Sequence, residues 1–237
     1  MTERYQIAEL LVDMDTFGRT KAQAQHYRYD ADGEADIVVK SNASSLKTEQ
    51  PHLSDDDCEY ISTGSNFYRQ LLKFDGMVLH SSAVVVDGYA YLFTAHSGTG
   101  KSTHTKLWCK EFADKGAYIL NDDKPALRLM DDGVFYAYGT PWSGKATYSP
   151  NRKVPLGGVC LLHRGAENKI RPCTAKEAIF FLLTQTSRPI GQMGNDKILT
   201  LLDKLLTKVP VWHLECNMEP EAAHVSYNAM SMKERNE

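Results

Sequence analysis

The clearest pattern in the chain is a pair of apolar runs, Met77-Val78-Leu79-His80-Ser81-Ser82-Ala83-Val84-Val85-Val86 and Tyr89-Ala90-Tyr91-Leu92-Phe93-Thr94, joined by Asp87-Gly88. Asp-Gly between two such runs signals a two-residue hairpin, so the pattern predicts two antiparallel strands. His80 then lies near the start of the first of them. A helical spacing follows over Thr105–Phe112 and stops at Gly116, and Ala117-Tyr118-Ile119-Leu120 reads as a short strand. Asp131-Asp132-Gly133 between Leu127–Met130 and Val134–Tyr138 predicts a second hairpin. Further on, Leu156–His163 reads as a strand. Thr174–Leu183 reads as an amphipathic helix that opens on a capping box, Thr174 with Glu177. Asn195–Leu206 carries Leu199, Leu202, Leu205 and Leu206 on one face. Val209–Leu214 is a late strand, and a C-terminal helix is expected over Glu219–Glu237.

The first 70 residues are patterned more weakly. Tyr5–Val12 and Ala35–Lys40 read as strands with a turn at Asp30-Ala31-Asp32-Gly33. Asp55-Asp56-Asp57 reads as a solvated loop or the first turn of a helix, and Cys58–Leu72 holds a short helix. The expected architecture is α/β with a mixed, β-rich sheet. A small N-terminal β-rich segment, residues 1–70, would precede a main domain, residues 71–237.

Candidate chemistry concentrates at two strand ends. The first carries Ala95-His96-Ser97-Gly98-Thr99-Gly100-Lys101-Ser102-Thr103 between a strand and a helix. Glycines let backbone N–H groups close on phosphate oxygens, and the helix behind adds its N-terminal dipole. Lys101 would reach the β- and γ-phosphates and the Ser102 hydroxyl would sit on Mg²⁺. The pattern G-x-x-x-x-G-K-[ST] is met except that Ala95 stands at the first glycine. The expected nucleotide-binding residues are therefore His96, Ser97, Gly98, Thr99, Gly100, Lys101, Ser102 and Thr103. The second strand end carries Asn121-Asp122-Asp123. Paired carboxylates beside a phosphate loop can divide two tasks, holding Mg²⁺ and taking the proton of an attacking hydroxyl. Gly139-Thr140-Pro141-Trp142-Ser143-Gly144-Lys145 reads as a loop lining a polar pocket.

Composition narrows the field. The 237 residues are 42% hydrophobic and 24% charged with net charge −3, so no bulk field favours nucleic acid or an anionic membrane. No apolar run approaches the roughly 20 residues of a membrane span. Five cysteines are scattered with no C-x-x-C, and the eight histidines show no H-x-x-x-H spacing, which argues against a nucleotide-independent metal enzyme. The N-terminus has no signal-peptide pattern, and a cytoplasmic protein with reduced thiols is expected.

Leu79-His80-Ser81 before a hairpin, Ser97-Gly98-Thr99-Gly100-Lys101-Ser102-Thr103 and Leu120-Asn121-Asp122-Asp123 together resemble the C-terminal kinase domain of HPr kinase/phosphorylase, which is related in fold to phosphoenolpyruvate carboxykinase. The resemblance covers about residues 75–215. It implies an ATP- and Mg²⁺-dependent kinase of that P-loop fold. Asp122 would be the general base, His80 an orienting group, Lys101 a catalytic cation, and Ser102 with Asp123 the metal ligands. Thr103 stands where the family has Glu, and no counterpart of the family's basic C-terminal loop is evident. A small member acting on serine in a peptide or protein is the implied activity. Alternatives are a kinase of a small hydroxylated metabolite and a nucleotide-binding regulatory module. Homo-oligomerisation is left open.

Overall fold

The structure is a computed structural model that describes residues 2–187 and 191–231. The last six positions of the expected C-terminal helix lie outside the described residues. The part inside them forms a helix over Pro220–Met230.

A nine-stranded mixed sheet dominates. Its strands are β4 (Gly76–Val78), β5 (Ser82–Val86), β6 (Tyr89–Thr94), β7 (Tyr118–Asn121), β8 (Ala126–Leu129), β9 (Phe135–Tyr138), β10 (Lys153–Arg164), β11 (Lys169–Pro172) and β12 (Val211–Cys216). The path runs β4-β8-β9-β10-β6-β5-β7, with β12 on β10 and β11 on β12. β10 joins the two halves. Its start pairs antiparallel with β9, and its remainder pairs parallel with β6 and β12.

The apolar runs are continuous because both sheet faces are covered. Ala83, Val85, Ala90 and Leu92 face one way, against Ala178 and Leu182 of α5 (Ala175–Thr184) and Ile198, Leu201 and Leu205 of α6 (Gln192–Lys208). Val84, Val86, Tyr91 and Phe93 face the other, against Trp108 and Phe112 beside α4 (Lys101–Glu111) and Ala222 and Tyr227 of α7 (Pro220–Met230). The period-two alternation of a strand sorts neighbouring residues into the two layers.

The first hairpin forms at Asp87-Gly88, with both φ values positive, +52° and +81°. The long run before it is not one strand. It breaks at Leu79-His80-Ser81, so that β4 pairs with β8 while β5 pairs with β6 and β7. His80 sits in the break.

The N-terminal segment departs further from its pattern. Tyr5–Val12 is a hairpin, β1 (Glu3–Ile7) with β2 (Leu10–Met14), turned at Ala8 and Glu9 with φ +53° and +63°. β2 also pairs parallel with β3 (Ile37–Val39). Two short helices absent from the pattern, α1 (Gly18–Ala24) and α2 (Ala43–Glu49), flank β3 in sequence. The expected short helix is 17 residues long, α3 (Asp55–Leu71). Ser54 caps it by accepting from the Asp57 N–H, and the acidic run sits in its first turn, where the dipole favours negative charge. The core around α3 mixes Tyr5, Ile7 and Phe67 with Val78, Tyr138 and Trp142. Trp142, expected at a polar pocket, is fully buried, stacked on Phe67 at 4.8 Å and donating to Thr63 Oγ1 at 3.1 Å.

Glu59 of α3 is fully buried. Burial pushes its carboxyl up to about 6, outweighing Thr20 and the Phe17 backbone. The folded value lies above the unfolded one, so this group's contribution is most favourable below about pH 4 and is lost as pH rises through 6. Glu59→Gln is expected to raise stability by about 2 kcal/mol at pH 7.5, with the gain fading towards pH 4. Urea unfolding at both pH values checks it, and a gain that is equal at both contradicts the assignment.

Candidate active site

The polar residues meet at one edge of the sheet because β6, β7, β10 and β12 all point their C-terminal ends there, while β5 starts there. That edge of an α/β sheet is open to ligands because the strands end and their connections diverge. The glycine loop follows β6, Asp122 and Asp123 follow β7, and His80 and Ser81 precede β5. Thr94 Oγ1 donates to the His80 carbonyl at 2.9 Å, and the Ser81 N–H to the Asp123 carbonyl at 3.0 Å. These bonds tie the three segments together.

The loop turns with Gly98 at φ +77° and Gly100 at φ +123°, conformations that a side chain would strain. Thr99 closes it, its N–H reaching the His96 carbonyl at 3.3 Å and its hydroxyl the same oxygen at 2.8 Å. α4 starts at Lys101, earlier than the pattern suggested, and no side chain caps it. Its first N–H groups therefore lack the partner that Ser54 gives α3 and Thr174 gives α5. Lys101 is buried to 8% exposure, with Nζ 3.0 Å from the Ala95 carbonyl and 3.4 Å from that of His96. Burial lowers its pKa, and the charges of Asp123 and Asp122 work against that shift.

The two aspartates have different surroundings. Ser82 Oγ donates to Asp122 Oδ1 at 2.6 Å and, its proton so used, accepts from the Thr105 hydroxyl of α4 at 2.7 Å. Asp122 therefore stands against α4. Asp123 Oδ1 lies 3.2 Å from His80 Nε2, and Oδ2 takes Lys124 Nζ at 3.3 Å and the Tyr60 hydroxyl at 2.6 Å. Burial alone would raise the Asp123 carboxyl. The His80 hydrogen bond, the Lys124 charge and the Tyr60 hydroxyl outweigh it and hold the group well below the usual carboxylate range. Asn121 makes the turn, its Oδ1 accepting from the N–H groups of Asp123 and Lys124 at 3.0 and 2.7 Å.

Two cavities adjoin these residues. One, of about 490 Å³, is lined by His80, Asp123, Lys124, Ile61, Tyr68 and Gln185 among others. The other, of about 390 Å³, is lined by Gly98, Thr99, Gly100 and Thr103 of the loop with apolar Leu107 and Leu162. Arg164 borders it, donating to the carbonyls of Gly98 at 2.5 Å and Thr99 at 3.0 Å. His96 is exposed and edge-on to Phe181 at 5.2 Å, and Ser97 is also exposed. His104, on α4, is buried beside Ser226 at 2.9 Å, and burial lowers its pKa to about 4.

The structure thus gathers His80, Lys101, Asp122 and Asp123 at the sheet edge and places Ser102 in the first turn of α4. Tyr60, Ser82, Lys124 and Arg164 complete the surroundings. Lys124 adjoins the aspartates in sequence but was not singled out there, whereas Tyr60 carries no signal because it comes from a helix 63 residues away in sequence. Among the described residues no cluster of three or more His, Cys, Asp or Glu is placed to hold a metal. None of the described helices is long and apolar enough to cross a membrane.

No family model matches the chain, and no curated protein matches it. Among solved structures, the Hpr(Ser) kinase/phosphatase from Coxiella burnetii aligns with 64% of this chain and 95% of its own, at 12% identity and a TM-score of 0.38. That likeness lies below the level at which a fold or an activity can be carried across.

Ser82→Ala removes the hydroxyl that bridges Asp122 and Thr105. It is expected to lower stability by about 1–2 kcal/mol, because Asp122 Oδ1 loses its donor while the Thr105 hydroxyl keeps only its longer bonds to the Lys101 and Ser102 carbonyls. Urea denaturation reads this, and an unchanged midpoint contradicts the bridge.

Proposed function

We propose that the protein is a phosphotransferase moving the γ-phosphoryl group of ATP to a hydroxyl, with a serine of a peptide or protein as the acceptor class. The observation that carries the reading is the convergence, on one sheet edge, of an uncapped helix behind a glycine loop, the buried Lys101, and two carboxylates that follow the neighbouring strand end.

The residues fit a nucleotide with Mg²⁺. The free N–H groups of the first turn of α4 and the loop glycines suit phosphate oxygens. One hydroxyl, Ser102, with one carboxylate, Asp123, is the sparse protein donor set Mg²⁺ accepts when phosphates and water supply the rest. Mg²⁺, when bound, would neutralise charge on the β- and γ-oxygens. Lys101 would leave its two carbonyls for those oxygens and balance the charge that develops on transfer. Asp122 would take the hydroxyl proton as the acceptor oxygen bonds to phosphorus and the bond to the β-phosphate oxygen breaks.

A second division of labour is favoured by one observation. Asp123 and His80, not Asp122, line the larger cavity, while Asp122 stands against α4. In that version the His80–Asp123 pair receives the acceptor proton and Asp122 faces the metal.

Phosphorylated products are to be sought by mass spectrometry across panels of serine peptides and small hydroxyl compounds. Lys101→Ala is expected to lower transfer by about 100-fold or more. Asp122→Asn is expected to do the same with Mg²⁺ affinity kept, while Asp123→Asn weakens Mg²⁺ binding. The opposite pattern establishes the second version. ATP binding with no transfer to any acceptor contradicts the function.

A further inference from the structure

Tyr60 of α3 is held from several sides at the site. It is 4% exposed. Its single hydroxyl hydrogen goes to Asp123 Oδ2 at 2.6 Å, and its oxygen accepts the Gly144 N–H at 2.8 Å. Two cations lie against its ring, Arg19 at 4.4 Å and Lys124 at 4.3 Å from the centroid. Arg19 comes from α1 and is itself held by Asp57 at 2.9 Å. Gly144, at φ +65°, passes so near Asp123 that an added Cβ would stand 3.0 Å from the Asp123 Cβ.

These contacts separate what the ring does from what the hydroxyl does. The ring fills space and meets the two cations, and a phenylalanine would do both. Only the hydroxyl touches the carboxylate. Asp123 must present Oδ1 to His80, and a carboxylate held on one oxygen alone can swing about its Cβ–Cγ bond. A donor on Oδ2 stops that swing. Lys124 also reaches Oδ2, but at 3.3 Å and on a flexible four-carbon stem. Tyr60 is rigid, buried and oriented by its second bond to Gly144.

We propose that Tyr60 is a positioning residue of the site, locking the Asp123 carboxylate in the rotamer that holds His80 towards the larger cavity. The N-terminal segment thereby completes the site rather than merely covering the sheet. Asp123 is part of the reacting centre only if the phosphotransfer reading holds, so the proposal rests on that reading, while the locked geometry can be tested without it.

Tyr60→Phe and Gly144→Ala reach the same carboxylate by two routes, one by deleting the donor and one by crowding it. Each is expected to lower kcat by about tenfold, the effect of losing one charge-assisted hydrogen bond, with KM for ATP within about twofold. For Tyr60→Phe the thermal midpoint should stay within about 4 °C. The second readout needs no turnover. With ¹⁵N-labelled histidine, the His80 ring resonance, assigned by its loss in His80→Gln, should move in both variants. An unchanged His80 resonance in Tyr60→Phe overturns the positioning role, as does full kcat alongside a large fall in the midpoint. If the wild-type protein transfers phosphate to no acceptor, the function fails, and the His80 resonance still decides whether Tyr60 sets the geometry.

Discussion

A buried carboxylate must be surrounded by donors or give up its charge, and Asp123 is where this protein meets that constraint. Four elements contribute to its surroundings. The β7 turn supplies the backbone, the break before β5 supplies His80, α3 supplies Tyr60, and the loop holding Trp142 brings Gly144 within reach. The result is a carboxyl group held well below the usual carboxylate range and bonded on both oxygens. Neighbouring Asp122 has one strong donor, Ser82, and faces α4. Two adjacent residues of the same type thus acquire different environments because a strand end projects successive side chains in different directions. That difference is the physical basis for assigning them different tasks.

Lys101 is the buried cation of the glycine loop. Its amine is packed against the loop's own carbonyls and lies in the field of both carboxylates. A cation so placed is prepared for an anionic ligand whose charge exceeds what the carbonyls offer. Arg164, from the end of β10, steadies the same loop from the other side, beside the smaller cavity. The long strand β10 therefore serves the site as well as the sheet, since it both joins the two halves and delivers this guanidinium.

Much of this was legible in the sequence where local chemistry decides structure. Asp87-Gly88 demands the positive φ values it adopts, Thr174 and Glu177 form the capping box, and the loop lies between a strand and a helix. The aspartates fall at a strand end because Asn121 closes the turn with its own side chain. Illegible features were those set by distant packing. The turn at Ala8-Glu9 has positive φ without a glycine, and Glu9 is held there by the Tyr138 hydroxyl at 2.8 Å and by Lys153. The break at Leu79-His80-Ser81 is invisible in an apolar run, because it arises when two strands part to different neighbours. Trp142 belongs to the α3 core, although its sequence neighbours are glycines and hydroxyls. Tyr60 reaches Asp123 only through tertiary packing, from a helix 63 residues away in sequence. A likeness to the HPr kinase type, read from three short motifs, pointed to the same residues but could not supply this layer, and the comparison with a solved structure of that type is too distant to add to it.

The proposed function requires the loop and the aspartates to form one phosphotransfer site, and their joint response to nucleotide is the point to measure. A crystal structure with ADP and Mg²⁺ tests it most directly. Phosphate oxygens are expected on the N–H groups of residues 98–102, with Lys101 Nζ moved from the Ala95 and His96 carbonyls onto them and the metal held by Ser102 and an aspartate. Nucleotide bound elsewhere, or Lys101 unmoved with phosphate absent from the loop, would contradict it.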